Sequence, residues 1–266
     1  MNLKSFLRGM APLAAIALTA AASGGCDKMN VSLGGEEGKK LADLDLTGAA
    51  PTEVALLGPD TVRISQGEKL AISVEGDPDV AGEMRFTLKE GTLGILRKNG
   101  RSSNDETVTV NVTMPAPRKL VMAGSGKIVS PALAADSARV TIAGSGAVET
   151  DAVTTAMLKV DIAGSGSYRA AGTAKSLKLT IAGSGDARLD ALKVEEAKVD
   201  IAGSGNSAFA SDGTVKANIM GSGEVRVIGR ATCKVTAMGS GKLICEPAPA
   251  PAASAGTKPK GDKPKA

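Results

Sequence analysis

"TIAGSGDARL" (180–189) decides how this chain is read. Six close copies surround it: "VMAGSGKIVS" (121–130), "TIAGSGAVET" (141–150), "DIAGSGSYRA" (161–170), "DIAGSGNSAF" (200–209), "NIMGSGEVRV" (218–227) and "TAMGSGKLIC" (236–245). Their central serines are Ser125, Ser145, Ser165, Ser184, Ser204, Ser222 and Ser240, spaced 18 to 20 residues apart. A repeat near 20 residues is the mark of a solenoid, in which each unit buries its apolar side only by stacking on the next.

Alignment on the serine separates two kinds of column. Seven, five and three residues before it stand apolar side chains, among them Leu158, Val160 and Ile162, or Leu177, Leu179 and Ile181. These positions share parity, so in a strand they lie on one side, the inside. The two glycines of each unit have the same parity and are expected to point inward as well. Their recurrence suggests a bend, or a flattened wall where opposite backbones come too close for a Cβ. Six residues before the serine stand Lys119, Arg139, Lys159, Lys178, Lys198, Lys216 and Lys234, on the outer side. Next to them run Thr141, Asp161, Thr180, Asp200, Asn218 and Thr236, also outward. Variable connectors such as "DAVTTAM" (151–157) and "ASDGT" (210–214) join units of constant length. No period of 3.6 appears, so the fold class is all-β, a parallel β-helix with coils of about 18–20 residues.

The organisation of the 266 residues follows from composition. Lys4 and Arg8 precede the apolar run "APLAAIALTAAA" (11–22), which is short for a membrane span and reads as a signal peptide over 1–25. Two processing routes fit: cleavage at Ala20-Ala21-Ala22, or lipid attachment at Cys26 after "SGG". Ser23 stands where lipoprotein signals usually carry Leu, but lipidation of Cys26 resolves the odd count of three cysteines. It leaves Cys233 and Cys245, expected to form a disulfide that staples the last coil in an exported compartment. Residues 26–50 read as a flexible tether, 51–245 as the β-helix domain, and 246–266 as a disordered Pro/Ala/Lys-rich tail. Within 51–117 the alternating runs "TEVALL", "DTVRIS", "KLAISVE", "MRFTLK", "TLGIL" and "TVTVNVTM" read as strands.

Composition also limits chemistry. The net charge of +4 is mild and suggests no specific nucleic-acid partner. The chain has no His and no Trp, one Tyr and three Phe, so a His-based triad is excluded and stacking platforms are few. "AGSGKI" (123–128) and "MGSGKL" (238–243) carry Gly-Lys, but Ile128 and Leu243 stand where a P-loop needs Ser or Thr. "GSGDARLD" (183–190) approaches a calcium β-roll motif with Asp186 one place early, and no other coil repeats it. No catalytic residue, metal ligand or cofactor is expected.

The "IAGSG" coils, the lead-in "VRISQGEKLAISVEGD" and "LKEGTLGIL", and the terminal "CKV…GSGKLIC" resemble the family described as putative auto-transporter adhesin, head GIN domain. The resemblance covers roughly residues 50–245. It implies a single-stranded, right-handed parallel β-helix, similar to pectin lyases and acyltransferase solenoids but without their catalytic residues. It also implies an adhesive or scaffolding role at a bacterial cell envelope. The alternatives from the residues themselves are a polyanion- or glycan-binding envelope protein that uses the Lys/Arg column, and a degenerate polysaccharide-acting enzyme. The expected location is the periplasm or outer membrane through a lipid anchor at Cys26, or a soluble periplasmic or secreted form.

Overall fold

The computed structural model describes residues 38–98 and 106–247, together with Ile16–Ala17 (β1) and Ser32–Leu33 (β2), which pair antiparallel. The remaining residues, among them Cys26 and 248–266, lie outside the described residues. Parallel coils stack into a β-solenoid of about six turns. Five consecutive units are each one long bent strand: β10 (Lys127–Gly144), β11 (Ala147–Gly164), β12 (Ser167–Gly183), β13 (Asp186–Gly203) and β14 (Asn206–Gly221). The last coil is β15 (Glu224–Ile228) and β16 (Thr232–Gly239), and β17 (Lys242–Glu246) follows it.

The inward columns are where the spacing puts them. Val140, Val160, Leu179 and Val199 are sealed from solvent, as are Ile142, Ile162, Ile181, Ile201 and Ile219. Each contributes about 1.5–3 kcal/mol by burial, and the parallel pairing aligns them like with like from coil to coil. The connectors are strand as well. Strand pairing runs through "DAVTTAM" and its equivalents, and unequal unit lengths are absorbed as register shifts, at Thr150/Val153, Arg169/Ala171 and Leu189/Lys193.

The two glycines of each unit do different things. The second, as at Gly126, Gly146 and Gly166, is buried as expected. The first, as at Gly124, Gly144 and Gly164, is not buried and sits at a turn, with φ between 115° and 129° across the seven units. Only glycine adopts that backbone readily. The obstacle to a side chain is also not the opposite wall. A Cβ on Gly164 would lie 2.5 Å from the carbonyl oxygen of Gly144 in the coil beneath. One on Gly166 would lie 2.5 Å from Ile142 Cγ2 and 2.6 Å from Gly146 O.

The N-terminal end is closed. β3 (Glu53–Leu57) and β4 (Thr61–Gln66) form a coil beneath β9 (Lys119–Gly124) and the start of β10. Beneath that coil, in parallel, lie β7 (Thr92–Arg97) and β8 (Thr109–Met114). Antiparallel β5 (Ala71–Glu75) then covers β8, and β6 (Met84–Lys89) covers β7. A short helix, α1 (Pro78–Glu83), bridges β5 and β6; its N-cap Asp77 accepts from the N–H groups of Asp79 and Val80. Val80, Met84 and Phe86 join the main core from this cap. Within 38–50, residues Lys39, Leu41 and Leu44 contact the body. Lys39 pairs with Phe86, and Leu41 and Leu44, three residues apart about a 3₁₀ turn (Leu41–Asp43), pack against the core.

Gly164→Ala should therefore cost at least about 1–3 kcal/mol from backbone strain alone, with the clash adding to it. Ser165→Ala, one residue on, should stay within about 0.5 kcal/mol. Urea unfolding midpoints measure both, and equal tolerance would contradict the stacked turn.

Candidate binding surface

The outward cations form one in-register ladder. Lys119 is opposite Arg139, Arg139 opposite Lys159, Lys159 opposite Lys178, Lys178 opposite Lys198, Lys198 opposite Lys216, and Lys216 opposite Lys234. Strand spacing puts successive members about 4.8 Å apart at Cα. Seven like charges in a column repel, and the structure offsets this unevenly. At the N-terminal end Glu53 holds Arg118 at 2.7 Å and Lys119 at 2.8 Å. Asp161 stands 3.7 Å from Arg139 and 3.3 Å from Lys159. Toward the other end Asp200 stands 3.6 Å from Lys198, and its other oxygen accepts from the Asn218 amide at 2.6 Å. Among the described residues, Lys178, Lys216 and Lys234 have no ion-pair partner within 4 Å. The ladder is thus half-buried and compensated at one end and increasingly exposed toward the other.

The serines form a second column, exposed at all seven turns. No phosphate cradle accompanies them. A P-loop needs free backbone N–H groups, but those of Gly126 and Lys127 donate to Gly58 and Asp60, and those of Gly241 and Lys242 to Gly221 and Gly223. β10 and β17 begin at these lysines, so no helix dipole faces the site. Asp186 is occupied by Arg188 and Asn206, and among the described residues no three metal-ligating side chains converge.

Every described aromatic ring is internal: Phe86, Tyr168 and Phe209 are at most 1% exposed. Burial pushes the Tyr168 hydroxyl up to about 12, against the opposing influence of the Thr150 hydroxyl. The described surface therefore offers no ring on which a sugar or base could stack. A shallow groove of about 620 Å³ lies where Thr154, Thr155, Thr173, Lys175, Lys193 and Glu195 meet along the former connectors. A smaller one mixes Glu149, Asp151 and Asp190 with Arg169 and Arg188.

One ionic site had no signal in the sequence. Arg97 Nε and Nη2 donate to Asp60 at 2.8 and 2.5 Å, with both side chains sealed from solvent. Asp60 also accepts from Val108 N–H, and Arg97 donates to Glu106 O at 2.7 Å. Pairing with Asp60 raises the Arg97 guanidinium above its ordinary range. The site ties the two lowest coils together and is enclosed. Asp60 lies in a gap between two runs, and Arg97 ends a strand covered on both faces, so alternation marks neither.

Cys233 and Cys245 are bonded across the terminal coil, their Cα atoms 6.8 Å apart. The bridge joins β16 to β17. Closing a loop this short is worth roughly 3 kcal/mol. Cys245→Ser should speed amide exchange in 232–246 by one to two orders of magnitude while β10–β13 keep their protection. Uniform protection across the chain would show that the bridge carries no load.

Comparison with known proteins places these features. No curated protein matches the chain. A crystal structure of a putative adhesin from Bacteroides fragilis superimposes with a TM-score of 0.66 at 17% identity, over 74% of this chain and 92% of that one. A putative lipid binding protein from Parabacteroides distasonis gives 0.56 at 21%, over 74% and 93%. A putative adhesin from Parabacteroides merdae gives 0.54 at 17%, over 76% and 94%. At such identities the likeness is one of fold. The sequence itself matches a known family over residues 50–231, from before β3 through β15, and on that match the chain belongs to the family of the putative auto-transporter adhesin, head GIN domain.

Proposed function

We propose that this protein is a non-catalytic cell-envelope β-helix whose role is adhesion or surface scaffolding, carried on a membrane by lipid attached to Cys26. The observation that carries the reading is the surface itself. Repetition builds long columns of like side chains, whereas a catalytic centre needs unlike groups brought to one point. Family membership and the names of the similar structures support an adhesin-like role. The disulfide supports export. Changing Cys26 to Ser should move the protein from the membrane to the soluble fraction. Fractionation unchanged by that substitution would favour plain signal cleavage.

A second reading rests on the ladder. Cations at a fixed repeat, thinly compensated toward Lys234, suit a polyanion laid along the solenoid axis, such as an acidic glycan or lipopolysaccharide. Without exposed rings, binding would draw on summed charge, so salt should weaken it steeply; screening lengths are about 8 Å at physiological ionic strength. Reversing Lys178, Lys198 and Lys216 to Glu should abolish retention on heparin-like supports and leave the circular dichroism unchanged. Reversing Lys258, Lys260 and Lys263 in the tail should cost far less. The opposite ranking would assign the affinity to the basic tail and leave the ladder a solvated face.

A further inference from the structure

The two ends of the solenoid are unlike. The N-terminal end is covered by antiparallel β5 and β6 and by α1, whereas among the described residues β16 and β17 pair only with the coil before them. Their free edges carry backbone groups able to accept another strand. Apolar surface gathers at the same place. Val235 is 51% and Met238 60% exposed, and they are two of the three large apolar side chains most open to solvent among the described residues. Val235 belongs to the column that is sealed in every earlier coil from Val140 to Ala217.

We propose that this end is an interface with a second copy of the chain, formed by antiparallel pairing of β17 with itself about Ile244. The argument is charge complementarity. β17 reads Lys242-Leu243-Ile244-Cys245-Glu246. Leu243 and Cys245 continue the inward columns of Val225 and Val227, so Lys242, Ile244 and Glu246 face outward. Antiparallel self-pairing centred on Ile244 sets Lys242 of each copy opposite Glu246 of the other, and Leu243 opposite Cys245. Lys242 has no ion-pair partner in this chain among the described residues, and Glu246 uses one oxygen on Arg226 at 2.8 Å. The chain's own tail suits the edge poorly. Pro247, Pro249 and Pro251 remove every second backbone donor directly after β17. Pairing across the end also covers the apolar rim on which Val235 lies.

The test is the solution mass of the full chain, processed by an exporting host and purified in mild detergent, measured by light scattering. The expected mass is twice that of one chain. Lys242→Glu alone sets glutamates against glutamates, and Glu246→Lys alone sets lysines against lysines, so each variant should run at half the wild-type mass. Mixed one to one, they restore both opposite-charge pairs and should return to the dimer. Both positions are at the surface, and the exposed Arg226 pair lost in Glu246→Lys stabilises little. Unchanged circular dichroism therefore separates a lost interface from a lost fold. A monomeric wild type at tens of micromolar would overturn the proposal, as would a Lys242→Glu variant that stays dimeric. A monomer that dimerises only when residues 248–266 are removed would also overturn it, by giving the end to the tail.

Discussion

Everything in this molecule depends on how closely one coil lies on the next at the Gly-Ser-Gly turn. There a backbone carbonyl of the lower coil occupies the space a side chain would need, with Gly164 above Gly144 and Gly166 above Gly146. Two glycines per turn are the only residues that permit this contact, one by its φ and both by their missing Cβ. The same contact places the N–H groups of Ser165 and Ser167 on Gly144 and Gly146, so the turn is satisfied by the coil beneath it. Because the anchor recurs once per unit, it resets the register every 18 to 20 residues. A difference in unit length cannot accumulate. It is absorbed in the connector half of each coil, where the pairing shifts by a residue or more and then recovers.

Fixed register turns a one-residue preference into a surface. A lysine six places before the serine would be an ordinary solvated residue in a single coil. Repeated under a fixed register it becomes a column from Lys119 to Lys234. The same logic disfavours catalysis. Stacking multiplies like side chains along an axis, whereas a catalytic centre needs unlike groups brought to one point. The clearest convergence of unlike groups, Asp60 with Arg97, is sealed and spent on holding the lowest coils. A buried pair of this kind is costly to break and contributes modestly when intact, which suits a fastening better than a site.

Much of the fold was legible because a solenoid writes its contacts locally. Parity alone separated Ile181, sealed in the core, from Ser184, open at the turn. The cysteine pair was legible from its parity and from the composition break after Cys245. Three things were not. Parity assumes a straight strand, so it placed Gly164 inward when the chain is already turning there. The connectors carried no strand signal of their own, because their length and sequence vary and extended backbone tolerates many sequences once its neighbours are strands. The N-terminal cap depends on contacts between distant segments, such as Lys39 with Phe86 and Asp60 with Arg97, and no period encodes those. As for function, the ladder was legible as a column, but its uneven compensation was not, since Glu53 belongs to a coil outside the repeat.

The closing of the two ends shows how stability and availability were separated. A solenoid end leaves an apolar interior and a strand edge unpaired. At the N-terminus both are met by added structure: antiparallel strands occupy the edges, and Val80, Met84 and Phe86 fill the interior. At the C-terminus a disulfide ties β16 to β17 and holds the shape of the coil. A covalent staple acts across the coil, however, and leaves its hydrogen-bonding edge untouched. Among the described residues the last coil is therefore fixed in shape yet still offers its edge, and the column of seven cations ends on that same coil at Lys234, one of its three members without an ion-pair partner. Rigidity, an open strand edge and uncompensated positive charge thus coincide at the end of the molecule farthest from the capped N-terminal coils.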